Sequence, residues 1–205
     1  MTDFQKTPII FLVSAPSGAG KTTLCTMLKE EFKDTLSGIV TVTTRPPRPG
    51  EVDGESYRFF SEDDFELHAS AGAFLEDASV HGFRYGTPRA TVGHALNRGR
   101  DVLLNVDVQG AASVRAAVQA APPGSDLCAP LVDIFIAPPS PETLRSRLIG
   151  RGQDSAEVIE RRLQQAAGEL ARWREYSYLV INDDLKTAYD QLRAIVLAER
   201  ARIRK

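Results

Sequence analysis

The chain has 205 residues, 42% hydrophobic and 25% charged, which suits one globular domain or a core carrying small inserted subdomains. A net charge of -2 and a pI of about 6.0 argue against a polymeric nucleic acid partner, because such domains usually carry a basic excess. Cys25 and Cys128, far apart and without CxxC spacing, argue against a disulfide framework or zinc site. No apolar stretch approaches membrane-spanning length, so the expected location is the cytoplasm.

Ile9–Ser14 reads as the first buried strand. The loop Ala15-Pro16-Ser17-Gly18-Ala19-Gly20-Lys21-Thr22 follows and opens a helix over Thr22–Phe32. Strand, glycine-rich turn and helix, in that order, form the context of a P-loop. Its inward N–H groups and the helix N-terminus cradle phosphate oxygens. Lys21 reaches the outer phosphates and the Thr22 hydroxyl can bind Mg²⁺. The strict pattern begins with Gly where this chain has Ala15.

Ile39–Thr43 predicts a second central strand. Arg45–Thr87, polar, aromatic and rich in Pro and Gly, reads as an insertion before a helix over Pro88–Asn97, with Thr87 as N-cap and Pro88 at the first helical position. The pattern continues with a strand at Val102–Val106, a helix at Ala111–Val118 and a surface loop at Ala120–Pro130. A strand at Val132–Ala137 precedes a helix at Pro141–Leu148 capped by Ser140. The glycines flanking Arg151 in Gly150–Asp154 predict a lid. A helix over Ala156–Tyr176, opened by an Asp154/Glu157 capping box, a strand at Tyr178–Ile181 and a helix over Ala188–Ile203 complete the chain. The alternation predicts an α/β fold with a mainly parallel sheet flanked by helices.

Thr41-Val42-Thr43-Thr44-Arg45-Pro46-Pro47-Arg48-Pro49-Gly50-Glu51, followed by Gly54-Glu55-Ser56-Tyr57-Arg58-Phe59, resembles the nucleotide-binding segment of guanylate kinases. The P-loop form looks like that of bacterial members. Phe74-Leu75-Glu76, Tyr85-Gly86-Thr87, Asp107-Val108-Gln109-Gly110, Arg147-Leu148-Ile149-Gly150-Arg151-Gly152 and Val180-Ile181-Asn182-Asp183-Asp184 also match, in order, over nearly the whole chain. The resemblance implies a P-loop kinase core (1–37, 96–144 and 166–205), a GMP-binding insertion near 38–95 and a short lid near 145–165. It implies ATP and GMP as substrates and Mg²⁺ as cofactor.

The chemistry agrees with that implication. Arg45 and Arg48, on a Pro-stiffened loop, can fork a phosphate, and Tyr57 and Tyr85 can add O–H donors. Guanine presents two donors, N1–H and its 2-amino group. By resemblance Glu76 and Asp107 face those donors while Thr41 and Thr87 contact the base. Thr87 can equally be a helix cap, and Asp184 reads as one. Arg147, Arg151 and Arg162 resemble the ATP-side and transfer-step arginines, with Arg45 joining them in catalysis. Asn182 resembles a residue beside the adenine.

Two positions depart from the family's pattern: Thr41 stands where most members have Ser, and Asn105 where an acid is usual. His68, His81 and His94 form no ligand or nucleophile spacing. None is needed, because a phosphate monoester is largely ionised at pH 7, its second pKa being about 6. The expected activity is phosphoryl transfer from MgATP to GMP. A ribose 1,5-bisphosphate kinase and a non-catalytic guanylate-kinase-like binding module are the alternatives.

Overall fold

The computed structural model describes residues 6–80, 82–150 and 155–204. In chain order the elements are β1 (Ile10–Ser14), α1 (Lys21–Glu31), β2 (Leu36–Gly38), β3 (Val42–Thr43), β4 (Arg58–Phe59), α2 (Glu62–Ser70), β5 (Phe74–Val80), β6 (Phe83–Pro88), α3 (Arg89–Asn97) and β7 (Asp101–Asn105). They continue with α4 (Val108–Gln119), β8 (Leu131–Ala137), α5 (Pro141–Gly150), α6 (Ala156–Leu170), a 3₁₀ turn (Trp173–Glu175), β9 (Tyr178–Ile181) and α7 (Leu185–Ala201). The described strands form two sheets. One is five-stranded and parallel, ordered β2-β7-β1-β8-β9; the other is four-stranded, ordered β4-β3-β6-β5. The expected α/β class with helices flanking a parallel sheet is what forms.

Buried strands need apolar side chains on both faces. β1 is buried at all five positions, and Val132 to Ala137 of β8 are buried without a break. The chain divides into two compact units. The first holds Thr35–Val102, Gln109–Leu131 and the N-terminal residues through Ile10. The second holds Phe11–Asp34, Leu103–Val108 and Val132–Lys205.

In the first unit the predicted strand Ile39–Thr43 is corrected. Leu36–Gly38 joins the five-stranded sheet, whereas Val42–Thr43 pairs antiparallel with Gly86 and Tyr85 and parallel with Arg58 and Phe59. The physical reason is a second small core. Val42 buries with Phe65 and Phe74, and Phe60 packs against them. The stretch read only as an insertion thus has its own sheet and a helix. Ser61 caps α2 by accepting from the Asp64 N–H, and three acidic residues fill its first turn.

In the second unit α5 and α6 share a core of Leu144, Leu148, Ile159 and Ala166. Ser140 caps α5 as expected, accepting from the Thr143 N–H at 3.1 Å, and Asp184 caps α7, accepting from Thr187 N–H at 2.8 Å. Asp154 lies outside the described residues; Ser155 is the N-cap of α6. The helix predicted to reach Tyr176 stops at Leu170. The Arg172–Glu175 ion pair closes a 3₁₀ turn there, and Tyr176 packs on Phe135 with ring centroids 5.0 Å apart. His81 also lies outside the described residues.

Candidate active site

The buried β1 ends at Ser14 and the P-loop turns away from it on two glycines of positive φ, Gly18 at 95° and Gly20 at 92°. L side chains rarely adopt this conformation, and neither position has room for one. A Cβ on Gly18 would lie 2.8 Å from Leu144 Cδ1, and one on Gly20 only 2.2 Å from Asn182 Nδ2. The loop is therefore pressed against α5 on one side and against Asn182 on the other. Asn182 is buried, and its amide donates to the Ala19 carbonyl at 2.8 Å. Asn182, which the resemblance places beside the adenine, thus braces the loop through its amide.

Gly20 is the N-cap of α1, with no side-chain cap bond, so the helix N-terminus is open to an anion. Leu24 and Leu28 anchor this helix in the core, each burial worth about 2 kcal/mol. Lys21 is half-buried, and its Nζ donates to the Val106 carbonyl just after β7. Thr22 is exposed on the first turn of α1.

Arg147 extends from α5 and donates through Nη2 to the Asp183 carbonyl at 3.2 Å. Its Nη1 is buried without a hydrogen-bond partner among the described residues, an unsatisfied donor suited to an anionic oxygen. Arg162 is half-buried on α6, and Arg151 lies outside the described residues.

Asp107 follows β7 in this same unit. It raises, and Lys21 lowers, the pKa of Glu169 on α6. Burial is the largest cause, and together these push Glu169 up to about 7. The signs give a measurable consequence. A carboxyl with a folded pKa near 7 and an ordinary value of 4.5 keeps a proton in the folded state that the unfolded state has lost. Stability therefore falls as pH rises from about 4.5 to about 7, and the penalty persists above. Glu169→Gln is expected to gain on the parent by about 1 kcal/mol at pH 8, after discounting for solvent screening, or about 2–4 °C in Tm. At pH 4 the gain should vanish. Thermal melts of the nucleotide-free protein at both pH values check this; an equal difference at both would show that Glu169 is ionised in the fold.

The first unit carries a second constellation. Glu76 on β5 is buried, 6% exposed, and accepts from the Thr87 hydroxyl at 2.6 Å. Strand pairing sets Glu76 opposite Thr87 across a bulge in the β5–β6 ladder. This corrects the reading of Thr87 as a cap: its hydroxyl goes to Glu76, and Pro88 occupies the N-cap position of α3 without a side-chain bond. Thr41 precedes β3 and is half-buried.

Arg45 is buried in the loop after β3. Its Nη2 reaches both Glu51 oxygens, at 2.8 and 2.9 Å, and its Nη1 donates to the Pro46 carbonyl at 2.7 Å. The Tyr57 ring lies 5.4 Å from the Arg45 guanidinium carbon, and Tyr57 and Tyr85 meet edge-on at 6.0 Å. Burial works to lower the Arg45 pKa, but bonds to Glu51 and Tyr85 outweigh it and raise it. Arg48, by contrast, is exposed.

The structure thus brings Arg45, Tyr57 and Tyr85 together, Glu76 with Thr87, Lys21 and Asp107 each near Glu169, and Asn182 with the P-loop. Sequence reasoning assigned no role to Glu51 or Glu169. An opposite charge within the arginine loop, and a carboxylate on the same helix as Arg162 and Ala166, are the signals that could have found them. Among the described residues no group of three or more His, Cys, Asp and Glu could hold a metal, and no helix is long and apolar enough to cross a membrane.

A P-loop following a central strand of a parallel sheet, with an arginine-bearing α5 packed under the loop, defines a P-loop protein of the nucleotide-kinase class. The family model described as guanylate kinase matches residues 5–199. A guanylate kinase of Sphingopyxis alaskensis is 47% identical over 197 residues, covering 96% of this chain and 85% of the relative. One from Hahella chejuensis is 48% identical over 195 residues, covering 95% and 88%. The crystal structure of guanylate kinase from Anaplasma phagocytophilum superimposes with a TM-score of 0.74 at 30% identity, covering 96% of this chain and 88% of that one. The chain belongs to the guanylate kinase family.

Proposed function

We propose that the protein transfers the γ-phosphoryl group of MgATP to GMP, giving ADP and GDP, in the cytoplasm and as a step of purine nucleotide metabolism. The observation that carries this reading is the buried Glu76–Thr87 pair in a chain that also has an intact P-loop. A buried carboxylate anchored by a hydroxyl is an acceptor set for guanine's adjacent donors. In this reading the P-loop from Ala15 to Thr22 holds ATP. Asn182 keeps the loop in shape. Arg45, Arg48, Tyr57 and Tyr85 bind the phosphate of GMP, and Thr41 and Asp107 complete the contacts to its base. Residues 38–95 serve as the GMP-binding insertion and 145–165 as the lid.

Chemistry then reduces to alignment and charge. An oxygen of the ionised GMP phosphate forms a bond to the γ-phosphorus as the bond to the ADP oxygen breaks, so no general base is required. Lys21 neutralises charge on the transferring group, and Arg147, Arg151 and Arg162 stabilise it further. The donor set fits a phosphate-borne Mg²⁺. One Thr22 hydroxyl, with no carboxylate cage among the described residues, suits an ion that keeps its waters and takes its other ligands from substrate phosphates. When bound, Mg²⁺ would supply a Lewis acid at the phosphate oxygens.

The test is ADP release from ATP with GMP, AMP, UMP or ribose 1,5-bisphosphate as acceptor. GMP alone should give rapid release. Preference for ribose 1,5-bisphosphate would assign the arginine cluster to a base-free substrate, and no release with any acceptor would mark a binding module.

A further inference from the structure

Glu51 is tied to both arginines of the loop after β3. It follows Arg45 by six residues and Arg48 by three. One carboxylate accepts two bonds from Arg45 Nη2 and a third from the Arg48 backbone N–H at 2.8 Å. The Glu51 N–H returns a bond to the Arg48 carbonyl at 3.0 Å. The Arg45 and Glu51 side chains are only 8% and 20% exposed. Burial of Glu51 opposes its ionisation, but the bonds from Arg45 and Arg48 outweigh that and hold the carboxyl below the usual carboxylate range. The carboxylate is thus the staple of the loop Arg45-Pro46-Pro47-Arg48-Pro49-Gly50.

We propose that Glu51 is a positioning residue for the acceptor phosphate, fixing the Arg45 guanidinium and the Arg48 backbone as one preorganised fork. The inference rests on the reading of this cluster as the GMP phosphate site. An arginine side chain left mobile must be ordered at each binding event, and that ordering is lost affinity. Two effects of removing Glu51 oppose each other. Deleting a negative charge favours phosphate, but residues 46–50 beside the pair are exposed, and solvent screens the gain to about a few-fold. Losing the charge-assisted bonds that hold the fork is worth about 10- to 100-fold. Geometry therefore wins over charge.

The experiment is steady-state kinetics on the full chain with Glu51→Ala, Glu51→Gln, Arg45→Ala and the Arg45→Ala/Glu51→Ala double variant. Glu51→Ala should raise the KM for GMP about 10- to 100-fold while the KM for ATP stays within about threefold. Glu51→Gln, whose amide oxygen still accepts from Arg45, should fall between parent and Ala. The double variant should lose clearly less than the product of the two single effects, because Glu51 acts partly through Arg45 and only its bond to the Arg48 N–H remains to be lost; a merely structural loss would multiply. If the Ala variant melts well below the parent, the Gln variant carries the same cycle. An unchanged or lower GMP KM in the Glu51 variants, or multiplying effects in the double variant, overturns the proposal. A parent that does not turn over GMP overturns the functional reading and this proposal with it, and that result is read before any variant.

Discussion

Lys21→Met is expected to lower kcat by about 10³-fold, with a folded protein and only a modest change in KM for either nucleotide. The magnitude follows from the role proposed for the ammonium: a preorganised charge where the transferring phosphoryl gathers negative charge is worth about 10²- to 10³-fold or more. Met fills nearly the same volume without the charge. Lys21 starts α1 rather than packing within it, and the described core of that helix is Leu24, Cys25 and Leu28. The structural cost includes the lost bond to the Val106 carbonyl, about 1 kcal/mol or a few degrees in Tm. Single-turnover rates beside thermal melts separate the two effects. Turnover of GMP near the parent rate would remove the P-loop lysine from the transfer step.

Glu76→Gln is expected to cut kcat/KM for GMP by about 10²- to 10³-fold and to narrow the gap between GMP and AMP. Thr87 already donates to one Glu76 oxygen. In the Gln variant that hydroxyl selects the amide oxygen as its acceptor and leaves the amide N–H₂ to face guanine, donors against donors. Adenine has no 2-amino group, and its N1 is a lone pair that repels a carboxylate but accepts from an amide. AMP should therefore lose little or gain slightly. The measurement is kcat/KM for both nucleotides in parent and variant. An unchanged GMP/AMP ratio would move base readout to Asp107 and Thr41.

Asn105 stands at the end of β7, exposed. Beside burial, Asp107 raises and Lys21 lowers the pKa of Glu169. The effect of Asp107 on Glu169 could not be read from the chain, since 62 positions and three secondary-structure elements separate them.

The sequence by itself determined the strand, glycine turn and helix of the P-loop, most of the core strands and helices, and the caps Ser140 and Asp184. These are local properties. A glycine at positive φ, a hydroxyl before the first helical turn and an apolar run of strand length act within a few residues of themselves, so they stay legible without the fold. The tertiary structure alone decided the rest. It divided the 36–43 stretch between two sheets, because Val42 buries with Phe65 and Phe74 rather than with the main core. It spent the Thr87 hydroxyl on Glu76, a partner brought opposite by strand pairing across a bulge. It set Asn182 against Gly20, 162 positions away in the chain, and made Glu51 the staple of the arginine loop. Each is a choice among hydrogen-bond partners or cores that composition leaves open. Only long-range packing, by fixing which groups lose water together, settles which partner a buried polar atom takes.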